Sequence, residues 1–212
     1  VWDTQTGKKV WSFNKGSSIP HLCWSADGRR LAVCSYSHPI HVLNSDGTQV
    51  AEIPPTNDSV ESVALTPDGS QLVARYYNGE KHQAYLLIYA VDTRELLGEI
   101  RADTPFLDNT VVSPDGRWIV SGTNTNSVGF FDFKSRKLVF THSEQSRHLI
   151  KMNFSRDGKK LLLCGMWGGL TLFDMQGEKP LLEKQINDYN SKSATLSPDG
   201  KLIATLCANS EI

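Results

Sequence analysis

Side chains that could carry chemistry are thinly spread along these 212 residues. His38 and His41 are the nearest thing to a metal pair, yet they lie three apart across Pro39. Residues at that spacing on an extended segment point to opposite faces, so surface histidines are the expected reading. The four cysteines, Cys23, Cys34, Cys164 and Cys207, show no CxxC spacing and are expected to be free thiols of a reducing compartment. There is no P-loop, no GxSxG elbow and no HExxH helix. Asn57-Asp58-Ser59 matches a glycosylation sequon, a pattern frequent by chance, and the thiols argue against secretion. No cofactor, metal or catalytic set is therefore expected.

What the sequence does carry is punctuation. Ser25-Ala26-Asp27-Gly28, Thr66-Pro67-Asp68-Gly69, Ser113-Pro114-Asp115-Gly116, Ser155-Arg156-Asp157-Gly158 and Ser197-Pro198-Asp199-Gly200 stand at intervals of 41, 47, 42 and 42 residues. A fixed period in the forties marks a repeat architecture. Each copy is a tight-turn recipe: the Asp can bond its own backbone, and the Gly accepts the left-handed conformation that ends the turn. Such a turn joins two antiparallel strands.

Aligned on these turns, apolar residues fall into columns. One position before the turn stand Trp24, Leu65, Val112, Phe154 and Leu196, and three before it Leu22, Val63, Thr110, Met152 and Ala194. A third column, six before it, holds Ile19, Val60, Leu107, Leu149 and Ser191 and needs a one-residue slip, which predicts a β-bulge. After the turn come runs apolar on both faces, such as Leu161-Leu162-Leu163-Cys164, then a third strand such as Tyr85–Tyr89, then a more polar fourth such as Gln49–Ile53. No stretch keeps a helical apolar period. An all-β chain with four short antiparallel strands per repeat describes the blades of a β-propeller, about five of them here.

Val1-Trp2-Asp3 followed by Thr6-Gly7, with echoes at Phe131-Asp132 and Phe173-Asp174, resembles the strand ending of WD-repeat propellers. Members of that family often link a His before the first strand to an Asp in the turn before the third. Here His142 falls near the first place and His38, Gly168 or Asn126 at the second, so the blades are expected to rely on apolar packing. The resemblance implies a non-catalytic scaffold for protein–protein interaction with a protein or peptide partner. An enzymatic propeller remains as an alternative, similar to the lactonase-like or quinoprotein-like ones. Its site would lie at a central channel lined by His21, Ser62, Asn109, Lys151 and Ser193. A regulatory or sensory segment of a larger signalling protein is a third reading.

Carried over from the family, one face of the disc would hold the loops between second and third strands and those between blades. That places Tyr36, His38, Tyr76, Tyr77, Lys81, His82 and Trp167 on it from the first set, and His142, Arg147 and Tyr189 from the second. Aromatic and basic side chains are the types in which binding energy concentrates. The segment Tyr76–His82 accounts for the long 47-residue interval and is expected to be an inserted loop.

With 22 basic and 23 acidic residues the formal charge is −1, which supports neither a nucleic-acid nor a membrane partner. No apolar run approaches the roughly 18 residues of a spanning helix, and a cytoplasmic protein is expected. The chain opens inside a third strand and stops where the next should begin. A single domain over residues 1–212, incomplete at both ends, is the expectation. It would be an arc of a seven-bladed ring, with a closed five-bladed ring as the alternative.

Overall fold

The Asp-Gly turns set the architecture. In a computed structural model, residues 1–14, 21–101, 106–123, 127–143, 149–165, 169–185 and 191–207 are described. In every copy of the turn the Gly N–H donates to the carbonyl oxygen of the leading Ser or Thr, at 2.8 to 3.0 Å. The hydroxyl of that residue donates to the Asp carboxylate and accepts the N–H five residues ahead of itself, as in Trp118 N–H to Ser113 Oγ at 2.9 Å. The Asp oxygen accepts a further amide, that of Arg29, Ser70, Arg117, Lys159 or Lys201. The closing glycines have φ between 66° and 72°, where a side chain would be strained.

Each turn joins the first two strands of a sheet. The first sheet runs β1 (His21–Trp24), β2 (Arg30–Cys34), β3 (Ile40–Asn44), β4 (Gln49–Ile53), and the second β5 (Ser59–Leu65), β6 (Gln71–Asn78), β7 (Gln83–Ala90), β8 (Leu96–Arg101). The third holds β9 (Phe106–Val112), β10 (Trp118–Thr123), β11 (Ser127–Asp132), β12 (Leu138–Ser143), and the fourth β13 (Leu149–Phe154), β14 (Lys160–Gly165), β15 (Gly169–Asp174), β16 (Lys179–Gln185). β17 (Ser191–Leu196) and β18 (Ile203–Cys207) form a two-stranded sheet. Among the described residues the strands pair antiparallel with their chain neighbours, and there is no helix. The expected bulge is present in the first strand of four sheets, where the register slips, as between Val60 and Ser62 on β5.

The chain forms two compact units, Val1–Glu99 and Ile100–Ile212. In the first, the inward face of β2–β4, with Ala32, Cys34, Ile40 and Val42, packs on Val63, Leu65, Leu72 and Tyr76 of the second sheet. Arg30 staples the two sheets, donating to Gly69 O at 3.0 Å and to Asp92 at 2.8 Å. The opposite face, Leu31, Val33 and Leu43, meets Val1, Trp11 and Phe13 of a short N-terminal hairpin held by the Trp2–Lys9 bridge. On β1, Leu22 and Trp24 are exposed although Val63, Leu65, Met152 and Leu196, their column mates, are buried.

The second unit repeats the scheme with bulkier contents. Trp118, Phe130, Phe140 and Phe173 fill the space between the third and fourth sheets, Phe130 and Phe140 stacked at 4.2 Å. A stacked pair adds about 0.5 to 1.5 kcal/mol beyond the area it buries. Thr110, the polar member of an apolar column, is fully buried and satisfied by a 3.0 Å hydroxyl contact with Ser121 directly across the ladder. Asn153 bridges the fourth sheet to β17, donating to Ala194 O and accepting from Leu196 N–H.

Cys23, Cys34 and Cys164 are free, as expected, and burial pushes the Cys23 and Cys34 thiols up to about 12. Among the described residues no helix is long and apolar enough to cross a membrane.

The turns make a pH-dependent contribution. Hydroxyl and amide donors hold Asp27, Asp157 and Asp199 below the usual carboxylate value, and the Ser70 amide and Thr66 hydroxyl do so for Asp68. A depressed folded pKa gives stability that is full above the unfolded pKa and lost as pH falls through the folded one. Burial lowers the pKa of His21, which brings a separate loss as pH falls through about 6.5. The turn contribution to the melting temperature should be full above about pH 5 and be lost below about pH 4. In thermal melts across that range, Asp68→Asn with Asp157→Asn should flatten the decline; an unchanged slope would count against these bonds.

Candidate protein-binding face

The extra residues of the 47-residue interval lengthen a hairpin. β6 and β7 have eight residues each, against five in β2 and β3 and six in β10 and β11. Tyr76, Tyr77 and Asn78 stay in the ladder, opposite Tyr85, Ala84 and Gln83. The expected inserted loop over 76–82 thus shrinks to its tip at 79–82. The reason is cross-strand pairing: Tyr76 and Tyr85 stack at 5.6 Å and 10°, a contact that favours continued strand over loop.

Asp58, in the connection between the first two sheets, holds this hairpin from the side. Its carboxylate accepts from Asn78 Nδ2 at 2.7 Å and from the Tyr85 hydroxyl at 2.5 Å. Thr56 shapes that connection by bonding the Asp58 backbone. At the tip, Lys81 N–H donates to Asn78 Oδ1 at 2.8 Å. His82 is left-handed, with φ 52°, and its Nδ1 lies 3.0 Å from the Tyr77 hydroxyl. A non-glycine residue in that region costs of order 1 to 3 kcal/mol, which these side-chain bonds help offset. Nearby, Arg75 is buried and ion-paired with Glu61 at the β5 bulge.

The same end receives the loop between β2 and β3. Tyr36 O accepts Val60 N–H at 3.0 Å, and Val60 pairs with Tyr76 on the ladder. Tyr36 is 45% exposed. His38 is exposed and turned back to Ser35, Nδ1 to Oγ at 3.3 Å. Tyr36, His38, Tyr77, Lys81 and His82 therefore lie at one end of the first unit, all at least partly exposed.

Tyr76 is a correction. It is fully buried, its hydroxyl 3.3 Å from that of Tyr89, and burial raises its pKa. Adjacent strand residues face opposite ways, so of the Tyr76-Tyr77 pair one enters the core and the other the surface. Trp167, Arg147 and Tyr189 lie outside the described residues, as do Gly168 and Asn126. His142 packs edge-on against Phe173 at 4.7 Å, with Glu183 3.6 Å away.

The channel candidates do not make an acid–base set within the first unit. His21 accepts Val63 N–H of the adjacent sheet at 3.5 Å, burial lowering its pKa, and Ser62 is buried opposite Arg75. Sequence reading had Asn78 only as part of the inserted segment and missed the bracing roles of Asp58 and Tyr85. The Asn78-Gly79 pair was the one available signal, since Asn-Gly marks a hairpin tip.

A family model described as the anaphase-promoting complex subunit 4 WD40 domain matches residues 4–66. The chain is 27% identical over 130 residues to WD repeat-containing protein 1-A of Xenopus laevis, covering 60% of this chain and 21% of that protein. It is 24% identical over 133 residues to actin-interacting protein 1 of Drosophila melanogaster (62% and 21%). Ribosome biogenesis protein ENP2 of Chaetomium thermophilum is 28% identical over 131 residues (59% and 20%). The chain thus spans about a fifth of the length of these relatives. Among solved structures, a chain of Kuenenia stuttgartiensis hydrazine synthase superposes with a TM-score of 0.72 at 19% identity, over 93% of this chain and 58% of that one. At that identity the likeness speaks for the fold alone.

If Asp58 fixes the hairpin, Asp58→Ala should speed amide exchange of the hairpin at 76–85 by about tenfold or more while the distant sheets keep their protection. The loss of global stability should be about 1 to 3 kcal/mol. Unaltered exchange at 76–85 would contradict the role given to Asp58.

Proposed function

Taking the chain as a divergent WD-repeat-like propeller, we propose that it is a non-catalytic interaction scaffold. Its partner is a protein or peptide, met at the end of the first unit that carries Tyr36, His38, Tyr77, Lys81 and His82. One observation carries the reading: a hairpin longer than its counterparts is braced by Asp58 and presents partly exposed aromatic and cationic groups at its tip. A sheet needs no such extension to pack, and an ordered tip lowers the entropy lost on binding. Trp167, Arg147 and Tyr189 belong to the same proposal on sequence alone.

The relatives support an interaction role by their names, one as an actin-interacting protein and another in ribosome biogenesis. Binding without chemistry also fits side chains already committed to the fold. His21 serves the backbone of β5, and Arg75 is paired with Glu61.

The test begins with a partner identified by affinity capture and its Kd measured by calorimetry. Tyr36→Ala combined with Lys81→Glu should weaken binding by about tenfold or more, with the melting temperature within a few degrees of the parent. An unchanged Kd for that partner would refute the assignment of this face.

A further inference from the structure

In the second unit, the end that bears the Asp-Gly turns is one continuous surface. Phe133 N–H donates to Arg117 O at 2.7 Å and Met175 N–H to Lys159 O at 2.9 Å, so each sheet's two hairpin turns sit side by side. Neighbouring sheets are joined there too. Arg117 reaches Glu178 at 3.0 Å, Arg156 N–H donates to Pro198 O at 3.1 Å, and Lys160 Nζ donates to Gly200 O at 2.7 Å.

Seven cations stand exposed across it, Arg117, Lys134, Lys137, Arg156, Lys159, Lys179 and Lys201, with Arg136 and Lys160 half-buried beside them. Six carboxylates share the same end, each hydrogen-bonded within it. Asp115, Asp157 and Asp199 each accept a hydroxyl and an amide of their own turn. Asp132 accepts Ser135 N–H at 2.7 Å, Asp174 accepts Gln176 N–H at 3.0 Å, and Glu178 is spent on Arg117. Nine cationic side chains thus stand against six carboxylates at this end, an excess of three positive charges. The turn end of the first unit differs. There Arg30 is committed to Gly69 and Asp92, and Arg29 lies 3.8 Å from Asp27.

We propose that this end of the second unit docks an acidic, extended segment of a protein partner. Charge complementarity selects the acidic partner. A peptide is favoured over nucleic acid for two reasons. Among the described residues the aromatics of this end are half-buried Phe133 and buried Trp118, which leaves no open ring face on which successive bases could stack. The cations are also interspersed with turn carboxylates, which oppose an unbroken phosphate chain more than separately placed Asp and Glu side chains. The surface shares no residue with the face proposed above and stands or falls independently of it.

The probes are fluorescein-labelled decaglutamate and a twelve-base-pair DNA duplex, titrated with the intact chain and read by anisotropy. Decaglutamate should bind saturably and weaken as salt rises. Lys134→Glu, Lys137→Glu, Lys159→Glu and Lys201→Glu together should raise its Kd by about tenfold or more, against less than about twofold for Lys8→Glu, Lys9→Glu and Arg29→Glu. If the charge-reversed chain fails to fold, the corresponding Lys→Gln set should give an intermediate loss with the parent's melting temperature. No saturable binding, equal losses from the two variant sets, or tighter binding of the duplex than of decaglutamate would overturn the proposal.

Discussion

One hydroxyl, shared between a carboxylate and the amide of the second strand, organises this protein. In Ser113-Pro114-Asp115-Gly116 and its four relatives the Ser or Thr oxygen donates to Asp and accepts the N–H five residues on. The turn is thereby closed by side chains as well as by backbone, and its glycine takes the left-handed conformation the chain must pass through. A turn so fixed also fixes register, and a slip of one residue would exchange the core face of the following strand for its outer face.

From register follows packing. A sheet in this chain is too small to be stable alone, and each buries its apolar face on a neighbour. Burial of a Leu, Val or Phe contributes about 1.5 to 3 kcal/mol, whereas a net hydrogen bond contributes about 0.5 to 1.5 kcal/mol. The contacts of Trp118, Phe130 and Phe173, or of Val63, Leu72 and Tyr76, therefore outweigh staples such as Arg30 to Gly69 in holding sheets together. The staples specify angle and spacing instead, because Arg30 and Asn153 can satisfy only one arrangement of the backbone groups they bridge.

How much of this was legible in the sequence follows from what each feature depends on. The turns, the strand order and the bulge at Val60–Ser62 depend on local chemistry and spacing, and were readable. The burial of Tyr76 was not, since two adjacent tyrosines carry no sign of which faces inward until the partner strand places Tyr85 opposite. Nor did the second hairpin turns announce themselves. Arg94, Arg136 and Glu178 adopt positive φ at places where Gly7 and Gly47 do so elsewhere, and tertiary packing tolerates that strain without a glycine to mark it. The candidate face was half legible: its aromatic and basic residues were in view, but Asp58, which braces them, gained meaning only when its carboxylate met Asn78 and Tyr85.

The shared-hydroxyl turn is tested most directly by residue-resolved amide exchange at Arg30, Gln71, Trp118, Lys160 and Leu202, whose N–H groups it ties to a Ser or Thr side chain. These amides should be protected by about a hundredfold or more over an unstructured chain, and Ser113→Ala should lower protection at Trp118 while sparing Lys160. Exchange of all five at the unstructured rate, or indifference of Trp118 to the loss of the Ser113 hydroxyl, would contradict the account at its base.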